Sequence, residues 1–324
     1  MTQYRIRTPI AFMVFNRPSV TATVFARIAA AKPGRLLIVA DGARTHVAGE
    51  GEKVRAVRRI VQSVDWPCEL SVNFADGNLG CRNRIASGLD WVFAQEETAI
   101  ILEDDCLPAP SFFRYCDELL ERYRDEPRVM TVCGSNWLRE TPSEHSYLFT
   151  THMSIWGWAT WRRAWRSFDV DLKSWPQNKL AAPFAQLLSR KEAGALTRTL
   201  DNLADENPAN RTLNTWDFQW FYNCYIHGGL ALTPAANMVS NIGFGAQATH
   251  TSTLVSKLAN IPARDVQFPL QHPRTIEISR EFEEAYYRTL IRKSFPERAR
   301  NFVRRAKKRL RKIGVMREAV VPAH

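Results

Sequence analysis

Short apolar runs and helical apolar stripes take turns through the first 135 residues, and few architectures accept that order. Ile10–Phe15 is an uninterrupted apolar run. It is far shorter than the roughly 20 residues a bilayer span needs, and it fits a strand buried on both faces. Pro18 then opens a helix with Val20, Val24, Phe25 and Ile28 in phase. Leu36–Ala40 is a second strand, and a helix follows with Val54, Val57, Ile60, Val61 and Val64 on one side. Glu69–Phe74 is a third strand, and turn chemistry at Asp76-Gly77-Asn78 leads to a helix marked by Ile85, Leu89, Val92 and Phe93. Thr98–Leu102, a helix from Ser111 to Tyr123 and a strand at Val129–Cys133 complete the series. Strands alternating with helices demand an α/β fold, with a mainly parallel central sheet and helices on both faces.

The second half is less regular. Five of the ten tryptophans fall between Trp156 and Trp175, where they serve as core or as sugar-stacking surfaces. A helix is expected from Pro183 to Leu203, a turn at Asn207-Pro208, and a helix from Trp216 to His227 stopped by Gly228-Gly229. Leu230–Thr233 and Met238–Ser240 read as short strands, and Gly243 to Thr253 as a loop. The six cysteines form no C-x-x-C pair and have no His at metal-ligand spacing, so they read as reduced thiols, mostly core fillers. Asn16-Arg17-Pro18 after the first apolar run is no cleavage site, so the chain reads as cytoplasmic.

Chemistry concentrates where strands end. Glu103-Asp104-Asp105 follows Ile100-Ile101-Leu102 without a spacer, so three carboxylates stand at the C-terminal end of a buried strand. Ligands of open α/β sheets bind at that edge. Adjacent carboxylates repel unless a cation holds them, and hard oxygen donors beside a diphosphate suit Mn²⁺ or Mg²⁺. An acidic turn before the next helix is the plainer alternative. Asn16-Arg17 and Asp41 end the first two strands on the same edge. Arg17 can meet a phosphate, and Asp41 a base or ribose. Asp217, among Trp216, Phe218 and Trp220, has the surroundings that raise a carboxyl toward general-base duty, or it caps its helix. Gly243, Gly245 and His250 belong to a loop able to touch phosphate or metal.

These residues, taken in order, resemble a family. The series runs Asn16-Arg17, Asp41-Gly42, Ile101-Leu102-Glu103-Asp104-Asp105 with Pro110 and Phe112-Phe113 following, Gly157-Trp158, Trp216-Asp217, and Ser240 to Gly245 before Thr249-His250. It is similar to GT-A fold glycosyltransferases, above all the N-acetylglucosaminyltransferase I group and related bacterial nucleotide-diphospho-sugar transferases, over about residues 8 to 272. The resemblance implies a GT-A, Rossmann-like domain over 1–285, with a nucleotide-sugar half (1–135) and an acceptor half (136–285). It implies Asp105 as metal ligand, Glu103 and Asp104 on the nucleotide-sugar, Asp41 reading the nucleobase and Arg17 near the nucleotide. It implies Asp217 as catalytic base and Gly243–His250 as the loop over the donor. The activity implied is inverting transfer from a UDP-linked sugar to a saccharide or lipid-linked saccharide, with divalent metal. Asn16 departs from the Asp that the family often carries before the Arg.

A glycoside hydrolase would also need two carboxylates, roughly 5 to 9.5 Å apart, but no nucleotide-binding strand ends. A nucleic-acid-binding protein is the non-enzymatic rival. The net charge of +11 is concentrated between Arg288 and Arg317, which carry +12, so the rest of the chain sums to −1 and offers no extended basic surface. No nucleic acid is therefore expected. Phe302, Ala306, Leu310 and Ile313 form one stripe in this basic tail (286–324), so residues 288–317 are expected to be an amphipathic helix lying on an anionic membrane face, with a solvated basic tail as the plainer alternative.

Overall fold

The computed structural model describes residues 4–178, 190–205, 207, 210–243 and 258–291. Its strands are β1 (Ile10–Val14), β2 (Arg35–Ala40), β3 (Glu69–Phe74), β4 (Thr98–Glu103), β5 (Cys106–Pro108), β6 (Val129–Cys133), β7 (Tyr147–Thr150), β8 (Trp158–Trp161), β9 (Leu230–Pro234) and β10 (Val239–Asn241). Eight of them form one sheet in the order β3-β2-β1-β4-β8-β6-β9-β7, and β5 pairs with β10 in a separate two-stranded ribbon. The pairs β1–β2, β2–β3, β1–β4 and β6–β9 are parallel, while β8 runs antiparallel to both β4 and β6, and β7 to β9. The α/β fold expected from the alternation is present.

Helices cover both faces. α1 (Pro18–Ala31), α2 (Glu50–Gln62) and α4 (Phe112–Arg122) pack on one face, where Val24, Ile28, Val57, Val61, Phe112 and Leu119 meet Phe12, Ile38, Ile100 and Leu102. α3 (Gly80–Gln95), the single turn α5 (Arg162–Trp165) and α8 (Asp217–Ile226) cover the other, where Ile85, Leu89, Val92, Trp165, Trp216 and Trp220 meet Ala11, Met13, Val39 and Ile101. Between them in sequence come α6 (Trp175–Asn178) and α7 (Arg190–Leu203), whose Leu196, Leu200 and Leu203 form a smaller core with Leu172, Trp175 and Tyr222. α9 (Arg280–Tyr286), continued by a π-helical turn at Tyr287–Ile291, packs Phe282 and Tyr286 on Leu148. A buried Leu or Phe contributes about 1.5–3 kcal/mol, so two continuous faces of such residues hold the sheet rigid beneath the loops at its edge.

Two strands differ in their burial. The tryptophan-rich stretch contains β8, whose burial on both sides leaves no polar alternation to betray a strand. β3, in contrast, is half-exposed throughout because it is the edge strand. The expected helix from Pro183 is described from Arg190, and residues 179–189 lie outside the described residues. Pro208 lies outside them too, as does the stretch 244–257. Of the basic tail, only the residues up to Ile291 are described. Among the described residues no helix is long and apolar enough to cross a membrane.

Candidate active site at the switch point of the sheet

From β1 the chain passes to β2 on one side, whereas β4 joins β1 on the other. The crevice between the C-terminal ends of β1 and β4 is therefore the place where successive connections diverge, the usual ligand position in such sheets. Arg17 leaves β1 there and Glu103-Asp104-Asp105 leaves β4. The two meet directly. The guanidinium bonds Asp104 through Nη2, and Nη1 stands 3.0 Å from Asp105 Oδ2. Burial alone would lower the Arg17 pKa, but the charges of Asp104 and Asp105 hold it above its ordinary value. Burial pushes Asp104 upward against the pull of Arg17. Glu103 is pushed up by burial and then by the charges of Asp105 and Asp104. Two of the three carboxylates are thus ion-paired with one arginine, and the Glu103 carboxylate has no hydrogen-bond or ion-pair partner among the described residues.

This donor set suits a hard divalent cation. Among the described residues no group of three or more His, Cys, Asp or Glu could hold a metal alone. An ion here would take one or two of these carboxylates and complete its shell with substrate phosphate and water, the usual manner for Mg²⁺. Asp105 is half-buried and faces the crevice mouth, whereas Asp104 is buried behind Arg17.

Asp217 is the first residue of α8. Trp216 before it is buried and stacked on Trp158 at 5.6 Å, which fixes the start of the helix against β8. The Thr215 hydroxyl and the Phe218 N–H both donate to Asp217 Oδ1, the latter at 3.0 Å. Burial raises the Asp217 pKa, and these two hydrogen bonds pull it partly back. Its charge is felt at Glu103, so the start of α8 stands near the acid triplet. Cys81, in the first turn of α3, is exposed beside the same carboxylates. Desolvation, then the charges of Glu103, Asp217, Asp41 and Asp105, push its thiol up. Sequence reading passed over Cys81 as a core filler. Its place just after Gly80, at the start of the helix after β3, was the available signal.

Asp41 is buried and turned into the protein. It accepts from the N–H groups of Gly42, Leu79 and Gly80 and from Asn78 Nδ2, four hydrogen bonds that fill a carboxylate's acceptor sites. It thereby ties the end of β2 to the start of α3. Asn16 donates to Glu50 Oε1 at 2.8 Å, and Glu50 also accepts from the Arg44 backbone and guanidinium. This buried clamp, missed in the sequence, braces the loops that follow β1 and β2. Nothing in the residue pattern paired Arg44 with Glu50, since the helix start lay unmarked by a capping side chain.

Gly243 follows β10 and lies against the acid cluster. Ile242 N donates to the Asp105 carbonyl, and a Cβ at Gly243 would collide with the Asp105 carboxylate and Arg17 Nη1. Gly245 and His250 lie outside the described residues. The structure therefore brings Arg17, Glu103, Asp104, Asp105 and Gly243 together at the β1–β4 crevice, with Asp217 near enough for its charge to reach Glu103 and Asp41 tied to the start of α3.

No protein-family model matches this chain, and no curated protein matches it. Among solved structures, a UDP-glucose pyrophosphorylase complexed with UDP-glucose is similar at 10% identity, covering 72% of this chain and 93% of that one, with a TM-score of 0.36. The 4-diphosphocytidyl-2C-methyl-D-erythritol synthase of Anaerococcus prevotii is similar at 12% identity, covering 68% and 96%, with a TM-score of 0.31. Likeness at this level says nothing of chemistry.

Proposed function

We propose that the protein is a GT-A-type glycosyltransferase that moves a sugar from a nucleotide-diphospho-sugar, UDP-linked, to a saccharide hydroxyl with inversion. The observation that supports this reading is the meeting of Arg17 with the acid triplet at the β1–β4 crevice, with the Asp217 charge felt at Glu103. The nucleotide lies toward β1–β3, where Arg17 meets its phosphates and Asp41 keeps the β2 and α3 ends in place. Asp105 would hold a divalent ion, which when bound would supply neutralisation of the charge on the leaving diphosphate. Glu103 contacts the sugar, and Asp104, buried behind Arg17, acts on the nucleotide-sugar by holding that guanidinium toward the phosphates.

Asp217 takes the proton from the acceptor hydroxyl as that oxygen bonds to the anomeric carbon. The bond from that carbon to the diphosphate oxygen breaks in the same displacement, and its electron pair leaves with the diphosphate. A single displacement inverts the anomeric centre and needs no second carboxylate nucleophile. In this reading the basic stretch 288–317 brings the enzyme to an anionic membrane where a lipid-linked acceptor is found.

A panel of nucleotide-sugars with Mn²⁺, read by thermal stabilisation, tests the proposal. UDP-sugars should raise the melting temperature of the parent, and Asp105→Ala should abolish the metal-dependent part. A variant that binds UDP-sugar with Mn²⁺ as well as the parent would remove Asp105 from the site.

A further inference from the structure

α3 has no capping side chain of its own. Leu79 stands at its N-cap and Gly80 opens it, so its first amide groups need partners from elsewhere in the chain. Asp41, at the end of β2, takes the N–H groups of Leu79 and Gly80. The Arg82 N–H turns the other way and donates to Asn214 Oδ1 at 3.1 Å, in the segment that leads into α8. Gly80 makes this approach possible. Its φ is 75°, and a Cβ there would stand 2.8 Å from Asn214 Nδ2.

The bond from Arg82 to Asn214 is one link of a closed circuit. Asn214 is followed by Thr215, whose carbonyl accepts from Gln219 Nε2 at 2.9 Å. The same Nε2 donates to the Val170 carbonyl at 3.4 Å, and Arg82 Nη2 donates to that carbonyl at 2.6 Å, which returns the circuit to Arg82. Thr215 is thus held through its own carbonyl on one side and through Asn214 on the other, and its hydroxyl donates to Asp217 Oδ1. Arg82 and Gln219 are both buried. Buried polar side chains add little net stability over apolar ones of the same size, but a hydrogen-bonded network of them fixes geometry.

We infer that Asn214 and Gln219 are positioning residues for Asp217: with Arg82 they fix Thr215, and the Thr215 hydroxyl in turn fixes the Asp217 carboxylate relative to the start of α3. This role rests on the transferase reading, which makes Asp217 the base. It gives the segment before α8 the work of holding Oδ1, so that Oδ2 is the oxygen that takes the acceptor's proton. The same α3 start is tied to β2 by Asp41, so the base is set in register with the side of the crevice assigned to the nucleotide. Glu103 of β4 and Cys81 of α3 feel the Asp217 charge. Arg82 is paired with Asp171 at 3.1 Å and feels Arg211. The substitutions below leave all five in place.

The test uses the full chain with ¹³C-labelled aspartate. The Asp217 carboxyl signal is identified by its loss in Asp217→Asn, and its pKa is read by titration. Asn214→Ala and Gln219→Met each loosen one side of Thr215, so the Asp217 pKa should climb in both, by roughly half a unit. Thr215→Val should raise it at least as far. Adding Asn214→Ala to Thr215→Val should change nothing further, because the route is already cut. In turnover, Asn214→Ala should lower kcat roughly tenfold while KM for the nucleotide-sugar holds, a split that a merely structural residue would not produce. An Asp217 pKa unchanged in either single variant overturns the inference. So do shifts that add to that of Thr215→Val, since Asn214 would then act by another route. If the parent transfers no sugar from any nucleotide-sugar, the transferase reading fails, and the titrations still judge whether the circuit holds Asp217.

Discussion

The Arg17 guanidinium bridges two consecutive carboxylates, with Nη1 3.0 Å from Asp105 Oδ2 and Nη2 on Asp104. It is the side-chain cation that lets Glu103-Asp104-Asp105 coexist at the sheet edge. A divalent ion approaching Asp105 has to displace Nη1 or accept its repulsion. Arg17→Met should therefore bind Mn²⁺ tighter without nucleotide, by roughly tenfold, while binding UDP more weakly. The variant should melt lower than the parent in chelator and recover most of the difference on adding Mn²⁺, since the ion replaces the missing charge. Calorimetric Mn²⁺ titration and melting curves check both parts. Unchanged Mn²⁺ affinity would show that Arg17 does not compete for the site.

Gly243 has room for no side chain because Asp105 and Arg17 occupy the space where its Cβ would stand. Gly243→Ala should cost about 1–3 kcal/mol in urea unfolding and weaken UDP binding, because the neighbours are a fixed ion pair that cannot step aside. Gly34→Ala is the control, since a Cβ at Gly34 meets nothing within 4 Å. Equal effects of the two substitutions would deny that Gly243 is shaped by the acid cluster.

Asp41→Asn keeps the shape of the side chain but turns one acceptor into a donor. Either orientation of the amide then sets N–H against N–H, since donors reach both oxygens: Gly42 and Leu79 on Oδ1, Asn78 and Gly80 on Oδ2. A loss of about 1–3 kcal/mol is expected, with faster amide exchange at Leu79 and Gly80. Protection unchanged at those amides would show that Asp41 does not pin the start of α3.

Arg44 and Asn16 hold Glu50 as a carboxylate, with its pKa down at about 2 against an ordinary 4.5, the Arg44 side-chain hydrogen bond outweighing burial. A depressed pKa contributes stability in full above the unfolded value. That stability is lost as pH falls from about 4.5 through about 2. The parent should exceed Glu50→Gln by roughly 1–3 kcal/mol at neutral pH, discounted because Arg44 is partly in solvent. The gap should close as pH drops through that window. A gap constant down to pH 2 would place the acid sensitivity elsewhere.

The alternation in the first half made the sheet and its two helical covers legible, because short continuous apolar runs mark strands buried on both faces and 3.6-residue stripes mark the helices that cover them. The end of β4 was legible for the same reason: a buried run that stops at three acids can only expose them at the sheet edge. Other features left no such mark. β8 is buried on both faces and reads as undifferentiated aromatic sequence, and β5 and β7 are too short to show a period. The inward turn of Asp41 depends on backbone donors of residues 78–80, which no side-chain pattern announces. Cys81 joined the site only through the folded neighbourhood of four carboxylates from distant positions.

Asp217 offers the sharpest test of mechanism. Thr215 and Phe218 both donate to Oδ1, and no other residue among those described donates to Oδ2. One oxygen is thus held in place while the other is available to take a proton. Asp217→Asn preserves size and most of the hydrogen bonding but has no basic oxygen of comparable strength. UDP-sugar binding should stay near normal while turnover falls by roughly 10²-fold or more, the typical loss for a positioned base. The same geometry gives a second, independent readout. Burial raises the pKa of Asp217, and the Thr215 hydrogen bond opposes that rise by favouring the charged form. Thr215→Val removes the donor, so the pKa should climb further and the base should stay protonated to higher pH. The acidic limb of the kcat/KM profile should then move toward neutrality while the plateau at higher pH changes little. A limb that stays in place in Thr215→Val, together with full turnover in Asp217→Asn, would assign Asp217 to capping α8 and leave the acceptor's proton to another group.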